Sequence, residues 1–141
     1  MPPSGGICFP VALSNQLKCI FAGMPEHLPN DILLQAAAEY GTPLYLYHAD
    51  VIGEQYRKLT AAFSQLDTCF WYAGKALTNI NILRYVKDTG CNVDCSSVNE
   101  VKLALHAGFE PSRILYTSNG IAFSEIEEAA AAGVHINIDS L

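Results

Sequence analysis

Residues 69–79 read CFWYAGKALTN, and the fold assignment depends on this stretch. Residues 69–73 are all apolar or aromatic, and such a dense run predicts a buried strand. Lys75 follows this run directly after a glycine, and Thr78 or Asn79 can cap the helix that the next residues predict. The sequence therefore places a lysine at the carboxyl end of a strand.

Lysine is an unusual residue at the end of an apolar strand, because it is almost never fully buried without a partner. In α/β proteins, however, ligands bind at the carboxyl ends of the parallel strands. A lysine that is desolvated there loses its proton more easily, and the neutral amine can attack a carbonyl group to form a Schiff base. Lys75 is therefore a candidate nucleophile, and the alternative is an ordinary surface lysine just beyond a strand.

From residue 68 onward, predicted strands alternate with predicted helices, which is the pattern of a parallel α/β sheet with right-handed crossovers. The strands are predicted at 69–73, 92–95, 113–117 and 134–139, and the helices at 79–89, 97–107 and 124–132. A glycine, the residue that most readily ends a helix, follows the predicted helices at positions 90, 108 and 133. Two capping-box patterns, Ser97-x-x-Glu100 and Ser124-x-x-Glu127, predict helix starts.

The part of the chain before this repeat is predicted to be irregular at first and helical further on. Residues 1–28 contain four of the seven prolines and no helical period, so irregular or short-strand structure is expected there. A helix is predicted over 31–40 with Asn30 as its N-cap, and a second helix is predicted to be capped by Asp50. A short strand at 44–47 is predicted between them.

Composition and charge exclude several classes of protein. Half of the residues are hydrophobic and only 16% are charged, which is typical of a globular domain and not of a disordered chain. The net charge of −6 argues against nucleic acid or an anionic membrane surface as a partner, and no stretch is long and apolar enough for a membrane span. The five cysteines are odd in number and form no C-x-x-C pair, which predicts a reduced, cytoplasmic protein without disulfides or zinc.

Several motifs, spaced along the chain in the same order, resemble those of one enzyme family. Tyr72-Ala-Gly-Lys75-Ala resembles the Tyr-Ala-x-Lys-Ala signature of the fold-type III pyridoxal-phosphate enzymes. The later matches are Asp94-Cys-Ser-Ser-x-x-Glu100, Ala107-Gly-Phe-x-Pro-x-Arg113-Ile, Tyr116-Thr-x-Asn119-Gly and Ile136-Asn-Ile-Asp-Ser-Leu141. The resemblance runs from about Leu28 to Leu141, which is most of the chain.

The resemblance implies that the α/β repeat is the first half of a (β/α)8 TIM-like barrel, of the kind found in alanine racemase. A closed barrel of this type needs about 250 residues, and only four of its strands are visible in the sequence. We therefore expect a fragment that is truncated after about four strands. Residues 1–28 are expected to join a second, β-rich domain of the full chain, and residues 29–141 to form the N-terminal part of the barrel.

Within this family the resemblance is greatest to the diaminopimelate decarboxylases. It implies that Lys75 forms the internal aldimine with pyridoxal 5'-phosphate, and that the enzyme decarboxylates meso-diaminopimelate to L-lysine in lysine biosynthesis. The alternatives are a decarboxylase of the same fold that acts on ornithine, arginine or carboxynorspermidine, and a non-catalytic relative that binds the cofactor. The resemblance also implies a small amino-acid substrate, a homodimer for the full-length protein, and no activity for this fragment alone.

Three other residues are candidates for this site. Asp94 is expected to face the same mouth as Lys75 and to bind the cofactor, the alternative being a solvated carboxylate ahead of a helix N-terminus. Glu100 matches a family position near the cofactor, but the capping box explains it without a ligand. Asn119 is a candidate on the rim, although Asn-Gly is by default a turn. The four histidines have no metal-ligand spacing, so no metal is predicted.

Overall fold

The structure is a computed structural model that describes residues 6–10, 19–21, 28–117 and 119–138. The chain divides into two compact units, with the boundary between Ala61 and Ala62. No helix within the described ranges has the length and apolar character needed to cross a bilayer.

The first unit contains a small antiparallel sheet and two helices. Its elements are β1 (Gly6–Pro10), β2 (Cys19–Phe21), α1 (Asn30–Tyr40), β3 (Leu46–His48) and α2 (Ala49–Ala62). The strand order is β2-β1-β3, and β1 pairs antiparallel with both of its neighbours. The expectation of short strands within residues 1–28 is thus confirmed at β1 and β2, and the assignment of that segment to a second domain stays a prediction.

The starts of the elements in this unit differ from the predictions by one or two residues. The strand predicted at 44–47 is observed at Leu46–His48. Asn30 is not the N-cap of α1 but its first residue, because the carbonyl of Pro29 already accepts the N–H of Leu33, at 3.2 Å. The prediction of an Asn30 cap is therefore wrong.

The cap predicted for α2 is wrong as well. Asp50 lies inside the first turn of the helix, where a negative charge is favoured by the helix dipole. The N–H of Val51 donates instead to Nδ1 of His48, at 3.4 Å. The imidazole ring therefore occupies the capping position that the sequence assigned to the carboxylate.

The second unit confirms the predicted α/β repeat. Its elements are β4 (Trp71–Ala73), a 3₁₀ turn (Gly74–Ala76), α3 (Ile80–Asp88), β5 (Asn92–Cys95), α4 (Val98–Ala107), a 3₁₀ turn (Pro111–Arg113), β6 (Ile114–Thr117), α5 (Phe123–Ala131) and β7 (His135–Asn137). The strand order is β4-β5-β6-β7, and all three pairings are parallel. The strand predicted at 92–95 is observed unchanged, and β4 begins two residues later than predicted. Asp139, in the predicted last strand, lies outside the described residues.

The core of this unit lies between one face of the sheet and the helices. Val93, Cys95, Ile114 and Tyr116 are each at most 1% exposed, and they alternate along β5 and β6 with less buried residues. Helices α3 and α4 pack against each other, and α4 packs on β5 and β6. Because side chains alternate between the two faces of a strand, the buried apolar residues lie on the helix-covered face. The side chains between them lie on the opposite face, which the helices do not cover.

Of the helix caps predicted in this unit, the one for α3 is confirmed and the one for α5 is wrong. The side chain of Asn79 accepts the N–H groups of Asn81 and Ile82, at 2.9 and 3.3 Å, so the predicted cap of α3 is confirmed. The cap predicted at Ser124 is wrong, because α5 begins at Phe123. Its N-cap, Ala122, has no side-chain acceptor, and only the carboxylate of Glu125 reaches back, to the Ala122 N–H at 3.2 Å.

Arg113 connects three elements at the amino end of the sheet. Its Nε donates to Oδ1 of Asn92 at 3.2 Å, and its Nη2 donates to the carbonyls of Lys87 and Cys91 at 3.2 and 2.8 Å. The guanidinium also lies 5.5 Å from the centre of the Phe109 ring. One side chain thus ties the end of α3 and the start of β5 to β6.

Candidate active site

Lys75 lies in a tight turn immediately beyond β4. The turn is closed by a hydrogen bond from the N–H of Leu77 to the carbonyl of Gly74, at 3.1 Å. The hydroxyl of Tyr72, a residue of β4, donates to the carbonyl of Leu77 at 3.2 Å. Lys75 itself is exposed. The strand therefore holds the backbone of the turn, and the lysine side chain is free to meet a ligand at the carboxyl end of the sheet.

Gly74 brings this turn close to the neighbouring strand and loop. A β-carbon at this buried position would lie 3.2 Å from the carbonyl oxygen of Asp94 and 3.3 Å from Oε2 of Glu100. Such contacts are tighter than ordinary van der Waals distances, so any side chain here would force its neighbours to move. The sequence analysis missed this role, which the position of a glycine between a strand and a functional lysine could have indicated.

Glu100 fixes the loop between β5 and α4. Its Oε2 accepts the N–H of Ser96 at 2.8 Å, while the hydroxyl of Ser97 accepts the N–H of Glu100 at 3.2 Å. The predicted capping box is therefore present, although the carboxylate reaches one residue further back than the pattern implies. Because the same oxygen lies against Gly74, Glu100 also links this loop to the turn that carries Lys75.

Asp94 is the third of four residues in β5, one residue before the end of the strand. Its Cα pairs with that of Ala73 on one side and that of Leu115 on the other. The Oδ1 atom is buried and has no hydrogen-bond partner among the described residues. A buried carboxylate oxygen without a partner costs free energy. This favours a ligand or a cation beside Asp94 over a solvated loop carboxylate.

The remaining candidates are less closely connected to Lys75. Asn119 is exposed in the connection between β6 and α5, and its role on the rim stays a prediction. His106 and His135 are both exposed, and His27 lies outside the described residues. Within the described ranges, no three histidine, cysteine, aspartate or glutamate side chains are grouped so as to hold a metal ion.

Two cysteines of the sheet region have altered acidity. Burial raises the pKa of Cys95 to about 12, and the carboxylates of Glu100 and Asp94 raise it further in the same direction. Burial also raises the pKa of Cys91. Cys69, in contrast, is exposed, and all three thiols are free. Reactivity toward electrophiles follows the thiolate form, so the three thiols are not equivalent.

We expect iodoacetamide to modify Cys69 in the folded protein near neutral pH and to leave Cys95 unmodified. Cys95 is 1% exposed and keeps its proton, whereas Cys69 is open to solvent. Peptide mass mapping after brief alkylation measures both sites, and the unfolded protein is the control in which both react. Equal rates at the two cysteines in the folded protein would contradict the burial of Cys95.

The raised pKa of Cys95 also predicts how stability depends on pH. In the unfolded chain the thiol ionises near its ordinary value of 9.0, whereas in the folded protein it stays protonated up to about 12. The contribution of Cys95 to stability is therefore fully present below pH 9 and is lost as the pH rises toward 12. Denaturant titrations of the wild type and of Cys95→Val across this window isolate the effect, because other groups titrate equally in both proteins.

Comparison with known proteins supplies the context for this arrangement. Residues 49–141 match the family model described as "Pyridoxal-dependent decarboxylase, pyridoxal binding domain". The chain is 44% identical over 109 residues to the diaminopimelate decarboxylase of Methanothermobacter thermautotrophicus, covering 76% of this chain and 26% of that protein. It is 37% identical over 124 residues to the diaminopimelate decarboxylase of Mycobacterium bovis, covering 87% of this chain and 26% of that protein.

The chain is also similar in fold to solved structures of diaminopimelate decarboxylases. The diaminopimelate decarboxylase of M. jannaschii in complex with L-lysine matches 77% of this chain and 26% of that chain, with a TM-score of 0.69 and 25% identity. The enzyme from Helicobacter pylori complexed with L-lysine matches 65% of this chain and 24% of that chain, with a TM-score of 0.62 and 31% identity. Both crystals contain a small amino acid.

These comparisons confirm the predicted fold class and the pyridoxal cofactor of the family. The matched domain is a pyridoxal-binding one, and the parallel sheet corresponds to that of the related decarboxylases. The chain spans about a quarter of the length of the curated relatives that it matches.

Proposed function

We propose that this chain, which belongs to the pyridoxal-dependent decarboxylase family, supplies the lysine-bearing part of a diaminopimelate decarboxylase. The reaction would convert meso-diaminopimelate to L-lysine and carbon dioxide. Relatives that carry this name match the chain at 33 to 44% identity. The structural observation that carries the proposal is the position of Lys75, directly beyond β4 at the carboxyl end of a parallel sheet.

The residues around Lys75 fit a bound pyridoxal phosphate. Lys75 is exposed, so its amine is accessible to the aldehyde of the cofactor. On the neighbouring strand, Oδ1 of Asp94 is buried without a hydrogen-bond partner in the described part of the chain, as expected for a group that completes its contacts with a ligand. Gly74 leaves no side chain between the turn and Glu100. A covalently held cofactor is therefore compatible with what surrounds the lysine.

Each of these residues then has a specific task. Pyridoxal phosphate, when bound, supplies an electron sink that stabilises the negative charge left on the substrate as carbon dioxide departs. Lys75 would hold the cofactor through Nζ, and the same atom could carry a proton to or from the substrate. Asp94 would provide negative charge on the strand next to β4. Glu100 keeps the β5–α4 loop in place through Ser96.

The proposal is tested with the full-length protein, pyridoxal phosphate and meso-diaminopimelate. We expect L-lysine and carbon dioxide in equal amounts, and borohydride reduction is expected to fix the cofactor on the peptide that contains Lys75. Ornithine, arginine and carboxynorspermidine serve as competing substrates, and preferential turnover of one of them would overturn the substrate assignment. Absence of an adduct at Lys75 would overturn the enzyme assignment and favour a relative with another role.

We propose further that the full-length enzyme is a cytoplasmic homodimer, with residues 29–141 in its barrel and residues 1–28 joined to a second β domain. Free Cys69, Cys91 and Cys95 support a reducing compartment. The dimer rests on the resemblance to the family. Light scattering of the purified full-length protein measures its mass, and a monomer that is fully active would contradict this part of the proposal.

A further inference from the structure

The parallel sheet has one face on the side away from the helices, and we call it the lysine face. Register places Ala73, Asp94, Leu115 and His135 side by side across the four strands. Paired residues of a parallel sheet project to the same side, and successive residues alternate. The lysine face is therefore opposite the face that buries Val93 and Ile114.

The amino-terminal part of the lysine face is closed by an aromatic contact. The rings of Trp71 on β4 and His135 on β7 meet edge to face, with their centroids 6.3 Å apart. Nε2 of His135 also lies 3.1 Å from the carbonyl oxygen of Ser112. Side chains from the two outer strands therefore meet across the two inner ones, and a ligand on this face must lie nearer the carboxyl ends.

One polar pair stands on the lysine face at those carboxyl ends. Thr117 on β6 pairs with Asn137 on β7, two residues beyond the pair formed by Leu115 and His135. Thr117 is half-buried and Asn137 is exposed. Within the described ranges, neither side chain has a hydrogen bond. Lys75 lies in the turn directly beyond Ala73, so the lysine and this polar pair are at the same, carboxyl-terminal edge of the sheet.

The spacing of the strands allows one ligand to contact all three residues. In a flat sheet, β6 would lie two strand spacings from β4, about 10 Å, and β7 three spacings away. The ring centres of Trp71 on β4 and His135 on β7 are only 6.3 Å apart, so the sheet is curved and these strands approach each other across the lysine face. An extended lysine side chain together with a pyridine ring spans about two strand spacings, which is enough across such a curved sheet. A hydroxyl and a carboxamide are neutral and can both donate and accept hydrogen bonds. They suit an oxygen substituent on the ring better than a phosphate, which cationic groups and helix N-termini favour.

We propose that Thr117 and Asn137 bind the pyridoxal phosphate held at Lys75, through hydrogen bonds to the phenolic oxygen of its ring. This inference rests on the proposed function, since it takes Lys75 as the point of attachment. The pair would orient the ring over the lysine face, with Asp94 beneath it. The phenolic oxygen is conjugated with the ring, so hydrogen bonds to it are expected to change the absorption spectrum of the bound cofactor.

The test compares Thr117→Val and Asn137→Leu with the wild type in the full-length protein. Titration of the cofactor-free protein with pyridoxal phosphate is expected to give a Kd about tenfold higher for each variant, the effect of losing one hydrogen bond. The absorption maximum of the bound cofactor and its pH dependence are expected to shift. Thr117→Ser keeps the hydroxyl and is expected to bind as the wild type does. Asn99→Leu, on the exposed surface of α4, is the matched control for Asn137→Leu.

The outcomes separate this inference from the proposed function. If the wild type forms no borohydride adduct at Lys75, the proposed function fails and this inference fails with it. If the wild type forms the adduct but both variants keep its Kd and spectrum, this inference alone is overturned. Melting of the cofactor-free proteins checks the fold, and Thr117→Ala or Asn137→Ala replaces the corresponding variant if it melts early.

Discussion

Replacement of Lys75 by arginine is expected to lower decarboxylation by the full-length protein by about 10³-fold or more, because no amine remains to hold the cofactor or to carry the proton. Arginine keeps the positive charge and most of the length, but its guanidinium does not lose its proton in proteins. The same variant is expected to give no borohydride-fixed cofactor. Steady-state turnover and peptide mass mapping measure the two effects.

The matched control for this change is Lys58→Arg. Lys58 lies on α2 and forms an exposed ion pair with Glu54 at 2.9 Å, which arginine can also form. Its activity and its cofactor content are expected to remain those of the wild type. Substantial turnover by Lys75→Arg, with the cofactor still attached elsewhere, would contradict the assignment of Lys75.

Replacement of Ile114 by alanine is expected to lower the free energy of unfolding of the parallel-sheet unit by about 2 to 5 kcal/mol. Ile114 begins β6 and is completely buried, and its Cα pairs with that of Val93, which is itself 1% exposed. Truncation removes apolar contacts and leaves a cavity that a closely packed core fills only in part. Denaturant titration of the variant and the wild type gives the difference.

Ile138→Ala is the control for the truncation of an isoleucine. Ile138 follows β7 and is 76% exposed, so its loss is expected to change the stability by less than about 0.5 kcal/mol. Ile114→Val, which removes one methylene group, is expected to fall between the two, at about 1 kcal/mol. Equal effects of the two alanine variants would show that Ile114 is not part of the core.

Local patterns in the sequence predicted the second unit well. The alternation of apolar runs and helical periods predicted four parallel strands, and β5 has the predicted bounds. Asn79 and Ser97 cap the helices they were predicted to cap, because an N-cap depends only on neighbouring backbone N–H groups. The errors at Asn30, Asp50 and Ser124 arose where a second acceptor or an adjacent residue competed for the same helix end.

The sequence also predicted the central residue of the candidate site, through the signature around Lys75. It placed Asp94 at the same mouth as that lysine, but it did not predict that Thr117 and Asn137 share the face with them. Asp94 comes 19 positions after Lys75, and Thr117 comes 42 positions after it. Whether these side chains lie on the same face depends on the pairing of β4 with β5 and of β5 with β6. A shift of the register by one residue would move each of them to the opposite face.

The sequence by itself determined the order of elements, the position of Lys75 at a strand end and the family to which the chain belongs. These properties are local, or are carried by motifs that can be read along the chain. Only the tertiary structure decided that Gly74 lies against Glu100 and that Oδ1 of Asp94 is buried without a partner in the described residues. It also paired Thr117 with Asn137 at the carboxyl-terminal edge of the sheet, the edge at which Lys75 lies. Such relations depend on how the strands align, and the alignment is set by packing of the whole sheet against its helices.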